Sequence, residues 1–233
     1  MIFIITATVN VFLDVHPVHS NSVLRRKEYI QNLKMLSASL SKSSLSNCKI
    51  YFVENSLDLV DNLNLYPQLP NLQYVNFDKT YDSAKGKGYC EIEMINYVLE
   101  NIDSCELFVK ITGRYSISNL HHVLDQLSLL NYASELLGTE EINVISKQFS
   151  SRFFFASISY WKSIFVQTML SKVDDNIGYF IEHSLYDLSL FYKPVTLDVL
   201  PSSSATSATT SNSLRINPIM RLLKKLVYLF VKP

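Results

Sequence analysis

Residues 2–9 form a continuous β-rich stretch, Ile2-Phe3-Ile4-Ile5 followed by Thr6, Ala7, Thr8 and Val9, as in a strand covered on both faces. Residues 25–40 change period: Tyr29, Leu33, Leu36 and Leu40 recur at helical spacing and predict an amphipathic helix. Short apolar runs at 49–53 and 72–77 predict a second and a third strand, with a short helix between them. Ile92, Ile95, Val98 and Leu99 mark one face of a helix over 91–101, and 107–111 reads as a fourth strand. Beyond it the pattern predicts a helix at 119–130, strands at 143–146 and 152–159, helices at 160–171 and 179–191, and a last strand at 195–200. Strands alternating with helices build an α/β domain around a mostly parallel sheet.

Residues 201–213 are almost entirely Ser, Thr, Ala and Asn, with too little apolar surface to offset the entropy of ordering, and read as a linker. This divides the chain into a domain over 1–200, the linker, and a tail over 214–233. In the tail, Arg221, Lys224 and Lys225 sit among Leu, Val, Tyr and Phe. Its apolar length falls short of the roughly 20 residues that span a bilayer, so it is expected to lie on an anionic membrane surface. The apolar opening lacks a basic flank and a small-residue cleavage site, and holds Thr6, Thr8 and Asn10, so it reads as a buried strand and not as a signal peptide.

Net charge is zero, but unevenly placed. Five of the 21 Lys and Arg lie beyond Asp198, where there is no acidic residue, leaving 16 against 21 Asp and Glu and a net charge near −5 in the body. That balance disfavours nucleic acid as a partner. Cys48, Cys90 and Cys105 have neither disulfide-framework nor zinc spacing, which fits a reducing, cytoplasmic compartment.

In an open α/β sheet, ligands gather at the carboxyl ends of the strands. Three of those ends are polar. Glu54-Asn55-Ser56 suits a base or ribose, or else forms a turn that caps the next helix. Lys85-Gly86-Lys87-Gly88 precedes a helix, where free N–H groups and lysines suit a diphosphate, although a solvated basic turn has the same composition. Lys110-Ile111-Thr112-Gly113-Arg114-Tyr115 delivers Lys110 and Arg114 through a glycine turn. Arg114 suits phosphate oxygens, whereas Lys110 either joins it or bridges to a buried acid.

The order ENS, then KGKGYCE heading a helix, then FVKITGRYSISN resembles a group of small bacterial glycosyltransferases that belong to surface-polysaccharide (O-antigen or capsule) synthesis. The resemblance implies a GT-A-like fold, a Rossmann-type sheet binding a nucleoside diphosphate sugar, with a glycan or lipid-linked glycan as acceptor. It assigns Thr6, Glu54, Asn55, Ser56, Lys85, Lys87, Gly88, Lys110, Gly113 and Arg114 to the donor. Such folds mostly carry an Asp-x-Asp on the fourth strand to hold Mn²⁺ or Mg²⁺. The corresponding strand end here reads Thr112-Gly113-Arg114, and Asp174-Asp175 or Asp78 with Asp82 have different spacing. No cofactor is therefore expected, with Lys85, Lys87 and Arg114 doing the electrostatic task; the alternative is a divalent metal held without an Asp-x-Asp.

Transfer to a hydroxyl needs a group to take its proton. Glu182-His183, near the start of the late helix, is the first candidate: Glu182 as base and His183 at the acceptor, beside Tyr115, Tyr160 and Trp161. The alternative is that Glu182 only complements the helix dipole. Glu91 and Glu93 are second-choice carboxylates. His121-His122 point about 100° apart on a helix and do not suit one metal ion. Phe153 to Phe155 read as a core strand. The competing functional classes are a non-catalytic, membrane-peripheral scaffold and a nucleotidyltransferase, the latter lacking its metal-binding carboxylates.

Overall fold

The computed structural model describes residues 1–10, 21–78, 83–102, 107–130, 137–139, 142–192, 194–197, 201 and 203–204. The basic tail, nearly all of the linker, His16, His19, Asp82, Cys105 and Asp198 lie outside the described residues.

Strand β1 (Ile2–Ala7) is buried along its whole length. It is flanked by β2 (Lys49–Glu54) on one side and β4 (Leu107–Thr112) on the other, both parallel to it. β3 (Leu72–Asn76) extends the sheet beyond β2. The full order is β10-β6-β9-β4-β1-β2-β3, in which β6 is Leu137–Thr139, β9 is Phe153–Ser157 and β10 is Val195–Thr196. β9 runs antiparallel to both its neighbours, and every other pairing is parallel. The expected mostly parallel sheet is therefore present, with one reversal. Short ribbons pair β5 (Ser116–Ile117) with β11 (Ser203–Ser204), and β7 (Ile142–Asn143) with β8 (Gln148–Phe149).

Side chains alternate across β1, so each face of the sheet gets its own core layer. Phe3 and Ile5 meet α1 (Ser22–Leu40) through Tyr29, Leu33, Leu36 and Leu40, and α4 (Leu120–Ser128) joins the same layer. Ile2 and Ile4 meet α3 (Lys87–Leu99) and α7 (Ile181–Phe191) on the other face. Asn21 caps α1 by accepting the Leu24 N–H at 3.0 Å.

Several boundaries differ from expectation for local reasons. α3 starts at Lys87, four residues early, because Gly86 adopts φ 91° and Asp175 caps the helix from a distance. Of the strand expected at 143–146 only Asn143 is in one, at the end of β7, and a tight turn follows: Asn143 Oδ1 accepts the N–H groups of Ile145 and Ser146, both at 3.1 Å. The helix expected at 160–171 begins at α5 (Ile158–Tyr160), passes through a π-helical stretch, Trp161–Phe165, and continues as α6 (Val166–Thr168). Trp161 there packs on Phe108, Phe154 and Phe165 and donates its indole N–H to Asn96 at 2.8 Å.

The short α2 (Asp58–Asn62) is anchored by a buried carboxylate. Asp58 accepts hydrogen bonds from the Arg26 guanidinium (Nε at 2.8 Å), Tyr66 Oη (2.7 Å) and Asn62 Nδ2 (3.1 Å). Burial opposes its charge, but the bonds from Arg26 and Tyr66 outweigh burial and hold the carboxyl below its ordinary value of 3.8, while burial and Asp58 push Tyr66 up. A carboxyl depressed on folding contributes stability above its unfolded value and loses it as pH falls through the folded one. Asp58→Asn is therefore expected to lose about 2–3 kcal/mol at pH 7 and to show a shallower loss of stability below about pH 4 than the wild type. Urea midpoints across pH test this, and parallel acid limbs would contradict it.

Candidate functional site

Parallel strands put Ala7, Glu54, Asn76 and Thr112 along one edge of the sheet. Because β9 is antiparallel, with Phe153 opposite Ile111, it brings Ser151 and Arg152 to that same edge.

Glu54-Asn55-Ser56 behaves mainly as a turn. Glu54 is 0% exposed. Its Oε1 accepts N–H groups from Val9 (3.2 Å) and Ser56 (2.8 Å), and the Ser56 hydroxyl. Oε2 accepts the Asp58 N–H at 2.9 Å, at the start of α2. Ser56 Oγ accepts from Val9 and Asn10. Glu54 and Ser56, assigned by the resemblance to the donor, thus have their side chains hydrogen-bonded inside the protein. Asn55 stands nearer the surface, bonded to Thr8 Oγ1 at 2.7 Å and to Cys90 Sγ at 2.9 Å.

At the head of α3 the anion is internal. Asp175 Oδ2 accepts the N–H groups of Lys87 (2.7 Å) and Gly88 (3.2 Å), the donors expected to meet a diphosphate. Gly86 is required there: an added Cβ would lie 2.5 Å from that of Asp175. Lys87 is exposed, and Lys85 Nζ lies 4.6 Å from the centre of the Tyr89 ring.

The third segment divides. Arg114 pairs through Nε with Glu28 on α1, on the side of the sheet away from α3, so it is not gathered with Lys85 and Lys87. Gly113 packs beneath the same helix. Its carbonyl accepts from Asn32 at 2.9 Å, and a Cβ would meet the Tyr29 ring at 2.6 Å and the Thr6 carbonyl oxygen at 2.9 Å. Gly113→Ala is expected to cost about 2 kcal/mol of stability, measured by denaturant midpoint, because Tyr29 is wedged against Phe52 and cannot withdraw. A midpoint equal to wild type would contradict this.

Lys110 is 0% exposed, and all three of its donors are used: Glu91 Oε1 at 2.7 Å, Thr112 Oγ1 at 2.8 Å and the Ser151 carbonyl at 2.5 Å. The buried-acid alternative for Lys110 is the one observed. Glu91 Oε1 also accepts from Thr6 Oγ1 at 2.6 Å, and the Ser151 hydroxyl donates to Glu182 Oε1. A continuous polar chain therefore runs Thr6–Glu91–Lys110–Ser151–Glu182 along the carboxyl edge, on the α3 face. The Glu91 side chain is 21% exposed. Glu91 and Glu182 each have one oxygen held by the protein, while the other has no hydrogen-bond partner among the described residues.

The remaining candidates are dispersed. His183 Nδ1 accepts the Phe180 N–H at 3.1 Å and so caps α7. Tyr115 is buried in the α1 layer, with Arg152 over its ring at 5.4 Å. Tyr160 and Trp161, expected at the acceptor, are buried in the core, where the Phe-rich strand beside them supplies aromatic packing. His121 and His122 are exposed with ring centroids 3.9 Å apart, closer than their 100° offset suggested. Among the described residues no three His, Cys, Asp or Glu side chains gather as a metal site, and the β4 end offers Thr112, Gly113 and Arg114 where the fold's usual metal carboxylates would stand.

Sequence reasoning ranked Glu91 second and missed Ser151 and Asp175. The signal for Glu91 was Lys110 itself: a charge at an inward position of a strand covered on both faces demands a partner.

No protein-family model matches the chain, and no curated protein does. Solved structures do. The galactosyltransferase LgtC, solved with donor and acceptor sugar analogs, aligns with a TM-score of 0.53 at 10% identity, over 81% of this chain and 70% of its own. The glycosyltransferase GlyE of Streptococcus pneumoniae TIGR4 aligns with a TM-score of 0.48 at 11% identity, over 84% of this chain and 45% of its own. S. aureus TarS residues 1–349 align with a TM-score of 0.48 at 13% identity, over 86% and 59%. The chain thus spans less than two thirds of the latter two. The likeness to LgtC shows a GT-A-like glycosyltransferase fold.

Proposed function

We propose that the chain is a glycosyltransferase that moves a hexosyl group from a nucleoside diphosphate sugar to a hydroxyl of a glycan or lipid-linked glycan, in surface-polysaccharide synthesis. The observation that carries this reading is the polar chain from Thr6 to Glu182, lying where open α/β sheets bind ligands, on a fold shared with sugar transferases.

In this reading the acceptor oxygen attacks the anomeric carbon as the bond to the diphosphate breaks and its electron pair leaves with phosphate. Glu182 takes the acceptor proton from within about 3 Å, with Ser151 fixing its orientation. Glu91, held by Thr6 and Lys110, faces the sugar. Negative charge on the leaving diphosphate meets Lys85 and Lys87 through their side chains, because Asp175 holds the α3 N–H groups. Residues 214–233, with roughly 1 kcal/mol per basic residue near an anionic leaflet, hold the enzyme at the inner membrane face.

Release of nucleoside diphosphate from a panel of nucleotide sugars, with mixed glycan acceptors and in either EDTA or Mn²⁺, tests this. Turnover in EDTA supports it. No release from any donor overturns transfer, and release only with Mn²⁺ overturns the role given to the fixed cations.

A further inference from the structure

We propose that the donor site is selective by charge: it takes an uncharged sugar and rejects sugars that carry a carboxylate, such as uronic acids. This rests on the transferase reading above and adds the class of sugar.

The polar chain contains two carboxylates, Glu91 and Glu182, each with one oxygen left for a ligand. An ionised carboxylate only accepts hydrogen bonds, so it suits sugar hydroxyls, which donate, and opposes a second carboxylate, which has nothing to donate. The cation within the chain does not offset this. Lys110 spends its three donors on Glu91, Thr112 and the Ser151 carbonyl and is sealed from solvent. Asp175 adds a third carboxylate at the head of α3. The described cations near this edge are committed elsewhere or point outward: Arg114 to Glu28, Arg152 over Tyr115, Lys85 over Tyr89, and Lys87 in solvent. Among the described residues, Glu182 and Asp175 have no ion-pair partner. The free oxygens of Glu91 and Glu182 therefore have no cation beside them to receive a second carboxylate, and like-charge apposition works against an anionic sugar.

The test uses matched donors that differ only at C6, UDP-glucose with UDP-glucuronate and GDP-mannose with GDP-mannuronate, titrated against the full chain at physiological ionic strength. For whichever base binds, the neutral member is expected to bind at least about tenfold more tightly. In Glu182→Gln the ratio of neutral to anionic donor affinity should narrow several-fold. The wild-type comparison stands even if the variant fails to fold. Equal affinities, or a tighter uronate, would overturn the charge selectivity and leave the transferase reading in place. A gap unchanged in both Glu182→Gln and Glu91→Gln would overturn the assignment to these carboxylates, and no binding of either pair or of any other nucleotide sugar would overturn both readings.

Discussion

Lys110→Met is expected to destabilise the protein by about 3 kcal/mol. Methionine fills much the same volume, so packing in the sheet is preserved and the loss is electrostatic. Three hydrogen bonds disappear, the Ser151 carbonyl loses its donor, and Glu91 is left with a charge answered only by Thr6. Removing one member of a buried pair costs about 3–5 kcal/mol, and the partial exposure of Glu91 places this case at the lower end. A double-mutant cycle separates the pair from its surroundings: Glu91→Gln added to Lys110→Met should recover part of the loss, because the uncompensated charge is gone. Denaturant midpoints that fall additively for the two changes would show that the pair does not couple.

Glu182→Gln is expected to behave in the opposite way, leaving stability within about 1 kcal/mol of wild type while sugar transfer falls by roughly 10²- to 10⁴-fold, the usual range for losing a general base. Glutamine keeps an oxygen to accept from the Ser151 hydroxyl, so the local hydrogen bond survives and the proton-accepting charge does not. A variant with full turnover would return Glu182 to the role of a carboxylate complementing the N-terminus of α7.

The sheet was legible because its central strands are buried on both faces, and such burial requires a continuous apolar run like Phe3-Ile4-Ile5. The Phe153 to Phe155 run was legible as core for the same reason, but not its direction: nothing local to a strand says whether its neighbours run with it or against it. That direction matters, since only an antiparallel β9 brings Ser151 beside Lys110. The three polar strand ends were also legible as positions, but their partners were not. Glu54 and Ser56 close the loop after β1, Arg114 turns to Glu28, and Asp175 reaches the head of α3 from 87 to 88 residues away. Each of these depends on which distant side chain the fold brings near, and residue type fixes only that a partner is required. Glu91 shows the same limit. Its helical position was clear, yet its contacts with Thr6 and Lys110 come from two strands far from it in the chain.

Binding of a nucleotide at the carboxyl edge of the sheet is the central requirement, and thermal unfolding of the full chain measures it most directly. Titration with nucleoside diphosphates and nucleotide sugars, each in EDTA and in Mn²⁺, should raise the melting temperature of the protein along a saturating curve for one base, as ligand binding to the native state demands, and should do so in EDTA. No saturable shift from any nucleotide under either condition would contradict sugar transfer from a nucleotide donor and leave the fold serving a non-catalytic role.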